Sequence, residues 1–164
     1  MCRQLRVAEE SRYTHIKFLL NGAGDEEIAG DDTVSIHETT GEEETKETIV
    51  NNMRSTCHLV KTAMKSRHYD QITTIISGPH KKASKGQYED TVELCKEMDG
   101  LLKEFCEVGT KEGYTIIMVG TNGDCAAVLE DPNAKSKCVD VPCYIVPAEG
   151  SKFERQECRQ VHDG

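Results

Sequence analysis

The chain has 164 residues, of which 37% are hydrophobic and 30% are charged, and its formal net charge is −9. This length predicts one domain with a continuous apolar core, and no apolar run approaches the roughly 18 to 20 residues that a membrane-spanning helix needs. The first twenty residues also lack the apolar stretch of a secretory signal. We therefore expect a cytoplasmic protein.

The eight cysteines are expected to be reduced thiols, because the cytoplasm disfavours disulfides. Cys57 and Cys95 fall on predicted helices, and Cys125 and Cys143 on predicted strands, where a thiol acts as a small core residue. The four-residue gap between Cys138 and Cys143 has no second pair at zinc-binding spacing. The sequence therefore predicts no metal site and no cofactor.

The amino-terminal part of the chain predicts two strands. Apolar and polar residues alternate over 15–20, up to an Asn-Gly turn signal, which predicts the first strand. A loop rich in glycine and carboxylates follows. The same alternation over 33–38 predicts the second strand.

A long helix is predicted to begin at Thr40, which forms a capping box with Glu43, and to close at Arg67 and His68. One face of this helix is apolar and the opposite face is polar, which is typical of a helix that lies on a sheet. The apolar stripe contains Ile49, Val50, Met53, Cys57, Val60, Ala63 and Met64.

A third strand is predicted over 71–77 and a second helix over 88–108, with Gly109 as the left-handed residue that ends the helix. The apolar stripe of this helix contains Tyr88, Val92, Cys95, Met98, Leu102 and Phe105.

The carboxyl-terminal part predicts a hairpin of strands over 114–119 and 125–129, joined at an Asn-Gly turn. Pro142 confines a sixth strand to a sheet edge. The fold class is therefore α/β (α+β), with a mixed, mainly antiparallel sheet of five or six strands, the order ββαβαββ(β), and two long helices packed on one face. We expect one domain over 1–147 and a polar tail over 148–164.

The loop from Gly78 to Gly86 is the best candidate for a binding site, because it joins a strand to a helix. A helix start and lysine side chains suit an anion, so we expect an anionic small molecule as the ligand, with a nucleotide or other phosphorylated metabolite as the first choice. The sequence has neither Walker A spacing nor a dinucleotide fingerprint. The predicted ligand-binding residues are Gly78, His80, Lys81, Lys82, Ser84 and Lys85.

A second interpretation of the same lysines is structural. The first long helix should begin near this loop, and its carboxylates at Glu42, Glu43, Glu44 and Glu47 could pair with Lys81, Lys82 and Lys85. Surface pairs of this kind contribute roughly 0 to 1 kcal/mol each.

Two other function classes stay open. The ten carboxylates from Asp25 to Glu47 could form an interaction or inhibitor surface for a basic protein. Alternatively, His37 or His68 could serve as the general base of a small enzyme, although no catalytic residue is assigned. The acidic composition and the aromatic content of 5% disfavour nucleic acid. An exposed hairpin edge favours a homo-oligomer.

Overall fold

The structure is a computed structural model that describes residues 2–20, 31–36, 44–121, 123, 125 and 141–152. No helix within these ranges is long and apolar enough to cross a membrane. The elements in chain order are β1 (Gln4–Glu9), α1 (Glu10–Leu20), β2 (Asp31–Ile36), α2 (Lys46–Ser66), β3 (Gln71–Ile75), α3 (Gly78–Ala83), α4 (Tyr88–Lys111), β4 (Ile116–Val119) and β5 (Cys143–Val146).

The described strands form two small sheets. β2, β1 and β3 lie side by side in that order and are parallel, with Val7 of the central strand opposite Val34 and Thr74. β4 and β5 form an antiparallel pair. The α/β class is confirmed, whereas the predicted single, mainly antiparallel sheet is wrong in its size and strand order.

The predicted first strand over 15–20 is wrong, because these residues belong to α1. Ile16 and Phe18 would share a face in a strand, but in a helix they lie about 200° apart. Ile16 is buried while Phe18 is 57% exposed, as the helix requires. The true first strand, β1, is the central strand of the sheet, with Leu5, Arg6 and Val7 all buried.

The first long helix is confirmed as α2, although it begins later than predicted. Thr45 is its cap, and the Thr45 hydroxyl accepts a hydrogen bond from the Thr48 N–H at 3.2 Å. The predicted capping pair, Thr40 and Glu43, lies outside the described residues. The buried residues of α2 are Ile49, Met53, Thr56, Cys57, Val60, Ala63 and Met64, which include most of the predicted stripe.

The second long helix is confirmed as α4, but its buried face is rotated from the prediction. Of the predicted stripe, Phe105 is buried as expected but Tyr88 is exposed, whereas Thr91 and Leu94, which lie outside that stripe, are buried. Gly109 lies inside the helix and packs against Met64 and Ile116, so it does not end the helix. Gly113, with φ of 92°, is the left-handed residue that follows it.

Five ion pairs among the described residues join α2 to α4 along their length. The basic residues come from α2 or its cap and the carboxylates from α4 or its cap, so part of the positive charge of α2 is neutralised by the neighbouring helix. Lys61 donates to Glu104 at 2.6 Å and lowers the pKa of that carboxyl. The pairs are Lys46–Asp90, Lys46–Glu93, Arg54–Glu97, Lys61–Glu104 and Arg67–Glu112.

The partner of β4 is β5, and the strand predicted over 125–129 falls outside the described residues except for Cys125. β5 starts directly after Pro142, as an edge strand allows. Cys143 is exposed, so its predicted core position is wrong. One face of the pair is apolar and exposed, and it carries Ile117, Val119, Cys143 and Ile145.

Candidate functional site

The strand order places the carboxyl ends of β1 and β3 next to each other. The chain leaves β1 for β2 on one side and then returns to β3 on the other side of β1. Parallel sheets bind ligands in the crevice outside the strand ends at such a switch point. Glu9 ends β1, and the segment from Ser77 to α3 follows β3, so these residues define the candidate site.

A buried polar network lies at this switch point. Glu9 is 0% exposed, and its Oε2 accepts a hydrogen bond from Ser77 Oγ at 2.9 Å. Lys81 Nζ lies 2.8 Å from the same Glu9 oxygen and 2.6 Å from Glu44 Oε1. Lys81 therefore bridges a carboxylate at the end of β1 and one that precedes α2.

The packing of α3 fixes Lys81 in this network. A side chain at Gly78 would overlap that of Met53, so the glycine allows α3 to approach α2 closely. Pro79 occupies the first turn, where its missing N–H costs no helical hydrogen bond. The Lys81 N–H donates to Ser77 O at 3.2 Å, which keeps the lysine beside the serine that contacts Glu9.

The predicted ligand-binding residues share this turn but differ in exposure. Gly78 and Lys82 are buried, the latter 7% exposed, and His80 is half-buried. Ser84 and Lys85 are exposed. In the second interpretation of the sequence, these lysines pair with the carboxylates before the first long helix. Lys81 makes such a pair with Glu44.

An open groove of about 750 Å³ lies away from the switch point. It runs along α2 beside the amino-terminal half of β1, and its mainly apolar lining includes Leu5, Val34, Leu59 and Tyr69. Neither Glu9 nor Ser77 lines this groove, so it is distinct from the network at the switch point.

Comparison with known proteins identifies the family. A sequence profile of the Metalloenzyme superfamily matches residues 1–153. The chain belongs to the Metalloenzyme superfamily.

Several curated proteins with sequences similar to this chain are 2,3-bisphosphoglycerate-independent phosphoglycerate mutases. The protein from Thermosynechococcus vestitus is 22% identical over 151 residues, which are 92% of this chain and 28% of the relative. The protein from Listeria welshimeri is 25% identical over 153 residues, or 92% of this chain and 30% of the relative. The chain thus spans less than a third of the length of these relatives.

A solved structure of phosphoglycerate mutase from Leishmania mexicana, at low cobalt concentration, has the same fold. It superposes with a TM-score of 0.66 at 12% identity, over 73% of this chain and 22% of that chain. This match supports the α/β architecture and, at this identity, the architecture alone.

Membership of a Metalloenzyme superfamily raises the question of a metal ligand set. Within the described ranges, no group of three or more His, Cys, Asp or Glu side chains is placed to hold a metal ion. At the switch point, the carboxylates of Glu9 and Glu44 face the ammonium of Lys81 instead. The described residues therefore do not fit a metal centre.

The two alternative functions, an acidic interaction surface and an enzyme with a histidine base, receive little support from those of their residues that the structure describes. His68 is exposed, and Arg3 rather than His68 pairs with Asp70. His37 and most of the Asp25–Glu47 segment lie outside the described residues. Glu44, which belongs to that segment, faces Lys81.

Cys95 is a potential nucleophile that the sequence analysis assigned to the core. A side-chain hydrogen bond from Cys125 lowers the pKa of the Cys95 thiol to about 7, against an opposing effect of burial. Burial instead raises the pKa of Cys57 and Cys106. No short-range signal links Cys95 to Cys125, because the pair forms only in the folded chain.

The thiol pair predicts a pH-dependent modification. Alkylation of Cys95 by iodoacetamide should reach half its maximal rate near pH 7, because the thiolate is the reactive form. Mass spectrometry of the Cys95 peptide against pH measures this rate. Cys125→Ala should move the midpoint towards the ordinary value of about 8.5, and an unchanged midpoint in that variant would contradict the assigned cause.

Proposed function

We propose that this chain binds a small phosphorylated metabolite at the switch point between β1 and β3. The observation that carries the proposal is the position of the α3 turn, with its lysines, at the carboxyl ends of two adjacent parallel strands. The similarity to phosphoglycerate mutases supports a phosphorylated carboxylic acid in preference to a nucleotide.

Lys82 and Lys85 are the proposed phosphate contacts. Lys82 lies in α3 and Lys85 lies two residues beyond its end; the Lys85 N–H donates to Lys82 O at 3.1 Å, so both residues belong to one turn of backbone. Lys81, in contrast, is engaged by two carboxylates. Ser84 and His80 lie on the same turn and could add hydrogen bonds to phosphate oxygens. Lys81 contributes by holding α3 against the strand ends.

We propose binding rather than a complete mutase reaction. The chain spans less than a third of the mutases it matches, and its described residues do not fit a metal centre. The expected cytoplasmic location, the homo-oligomer and the domain over 1–147 with a tail over 148–164 also stay predictions.

Calorimetric titration with 3-phosphoglycerate tests the proposal, with glycerate as the matched compound without phosphate. We expect saturable binding of 3-phosphoglycerate and at least tenfold weaker binding of glycerate. Lys82→Ala/Lys85→Ala should raise the Kd by at least about a hundredfold, because each of the two charge-assisted hydrogen bonds contributes about 1.5 to 3 kcal/mol and each 1.4 kcal/mol is a factor of ten.

Three controls make this titration decisive. Lys82→Arg/Lys85→Arg keeps both charges and should retain most of the affinity, and Lys103→Ala removes an exposed lysine of α4 and should have no effect. AMP in place of 3-phosphoglycerate distinguishes a nucleotide site. Equal affinity of the wild type and Lys82→Ala/Lys85→Ala for 3-phosphoglycerate would refute the proposed site.

A further inference from the structure

We infer that Lys81 acts as an internal cation for Glu9 and Glu44, so that this carboxylate pair takes no divalent metal in the native chain. This charge balance at the switch point does not depend on phosphate binding, because it is set by contacts within the protein.

The two carboxylates converge on one point. Glu9 Oε2 and Glu44 Oε1 both lie within 2.8 Å of Lys81 Nζ, and Ser77 Oγ donates to the same Glu9 oxygen. Carboxylate and hydroxyl oxygens are the ligands that Mg²⁺, Mn²⁺ and Ca²⁺ prefer, at roughly 2.0 to 2.6 Å. The ammonium therefore stands where a metal would have to bind both carboxylates.

A metal and the ammonium cannot share this point, because two like charges would lie in contact in a poorly solvated place. The side chain of Lys81 is 9% exposed and that of Glu9 is 1% exposed, so an ammonium displaced by a metal would have little contact with solvent. It is also tethered to α3, which gives it a high effective concentration at the carboxylates. A metal in solution competes with this tethered cation at a disadvantage.

The inference accounts for a disagreement between family and structure. The superfamily is one of metalloenzymes, yet the described part of the chain contains no cluster of three potential metal ligands. At the sheet edge where two carboxylates do converge, a lysine supplies the positive charge. This edge thus keeps a charge-balanced geometry without a bound metal.

Electron paramagnetic resonance of Mn²⁺ tests the inference on the full chain, because bound and free Mn²⁺ give different signals. Lys81→Met should gain a Mn²⁺ site with a Kd at least tenfold lower than any Glu9-dependent binding by the wild type. Glu9→Gln added to Lys81→Met should remove that site. If wild-type Mn²⁺ binding is as tight as that of Lys81→Met and is lost in Glu9→Gln, the inference is overturned.

A second comparison covers the case in which Lys81→Met does not fold, as judged by circular dichroism. Wild type and Glu9→Gln are then titrated with Mn²⁺ alone. Equal binding by these two proteins supports the inference, since it shows that Glu9 holds no metal while Lys81 is present. Weaker binding by Glu9→Gln overturns it.

Discussion

Replacement of Lys81 by methionine is expected to lower the free energy of unfolding by about 3 to 5 kcal/mol, the usual cost of breaking a buried ion pair by removing one partner. Methionine retains most of the apolar stem but leaves the buried Glu9 carboxylate without its lysine. The loss is a large fraction of the roughly 5 to 15 kcal/mol that stabilises a typical domain. Urea denaturation followed by circular dichroism measures it.

Two further variants separate charge from packing in this experiment. Lys85→Met changes an exposed lysine of the same turn and should alter stability by less than about 0.5 kcal/mol. Glu9→Gln combined with Lys81→Met removes both charges, so its cost should be smaller than the sum of the single costs. A Lys81→Met protein within 1 kcal/mol of the wild type would show that the ion pair is not an important source of stability.

The same network shows what sequence reasoning can and cannot reach at a site. The α3 turn is visible because glycine, proline and three lysines follow a β-branched strand, and the structure places that turn at the strand ends. Glu9 carries no comparable signal. It lies 68 positions from Ser77, and only the parallel pairing of β1 with β3 brings the two together.

The fold was predictable where one pattern extended over many residues. The stripe of α2 from Ile49 to Met64 runs through about four turns, and a helix is the structure that gathers those residues on one side. The segments 4–9 and 15–20 are each only about six residues long, and a short alternation there fits a strand or one helical turn. The segment 4–9 forms a strand because it pairs with a parallel strand on each side. A local sequence pattern does not reveal which strands will be neighbours in the folded chain.

The pairing of β4 with β5 depends on residues far apart in the chain. An Asn-Gly turn after β4 is a strong local hairpin signal, but the partner strand that it predicts over 125–129 lies outside the described residues except for Cys125. The strand that the structure places beside β4 is β5, which begins 24 residues after β4 ends and has no local signal linking it to β4. Ile116 is buried, with Val146 opposite it and partly buried, and this pair contributes to the main core.

The rotated face of α4 gives the second large expected effect. Leu94→Ala should cost about 2 to 5 kcal/mol, because Leu94 is 0% exposed in the cluster with Ile49 and Met53, and its removal leaves a cavity there. Leu102→Ala makes the same chemical change on the face that the sequence predicted to be buried, where Leu102 is only half-buried.

The comparison of these two variants decides which face of α4 packs on α2. Both remove the same side-chain atoms from the same helix, so helix propensity cancels and the difference reports burial. We expect Leu94→Ala to be the less stable protein by at least 1 kcal/mol in urea denaturation. The opposite order would mean that the Tyr88–Val92–Cys95 stripe is the buried one after all. Equal losses would mean that both leucines pack equally well, which contradicts the exposure of Leu102 relative to Leu94.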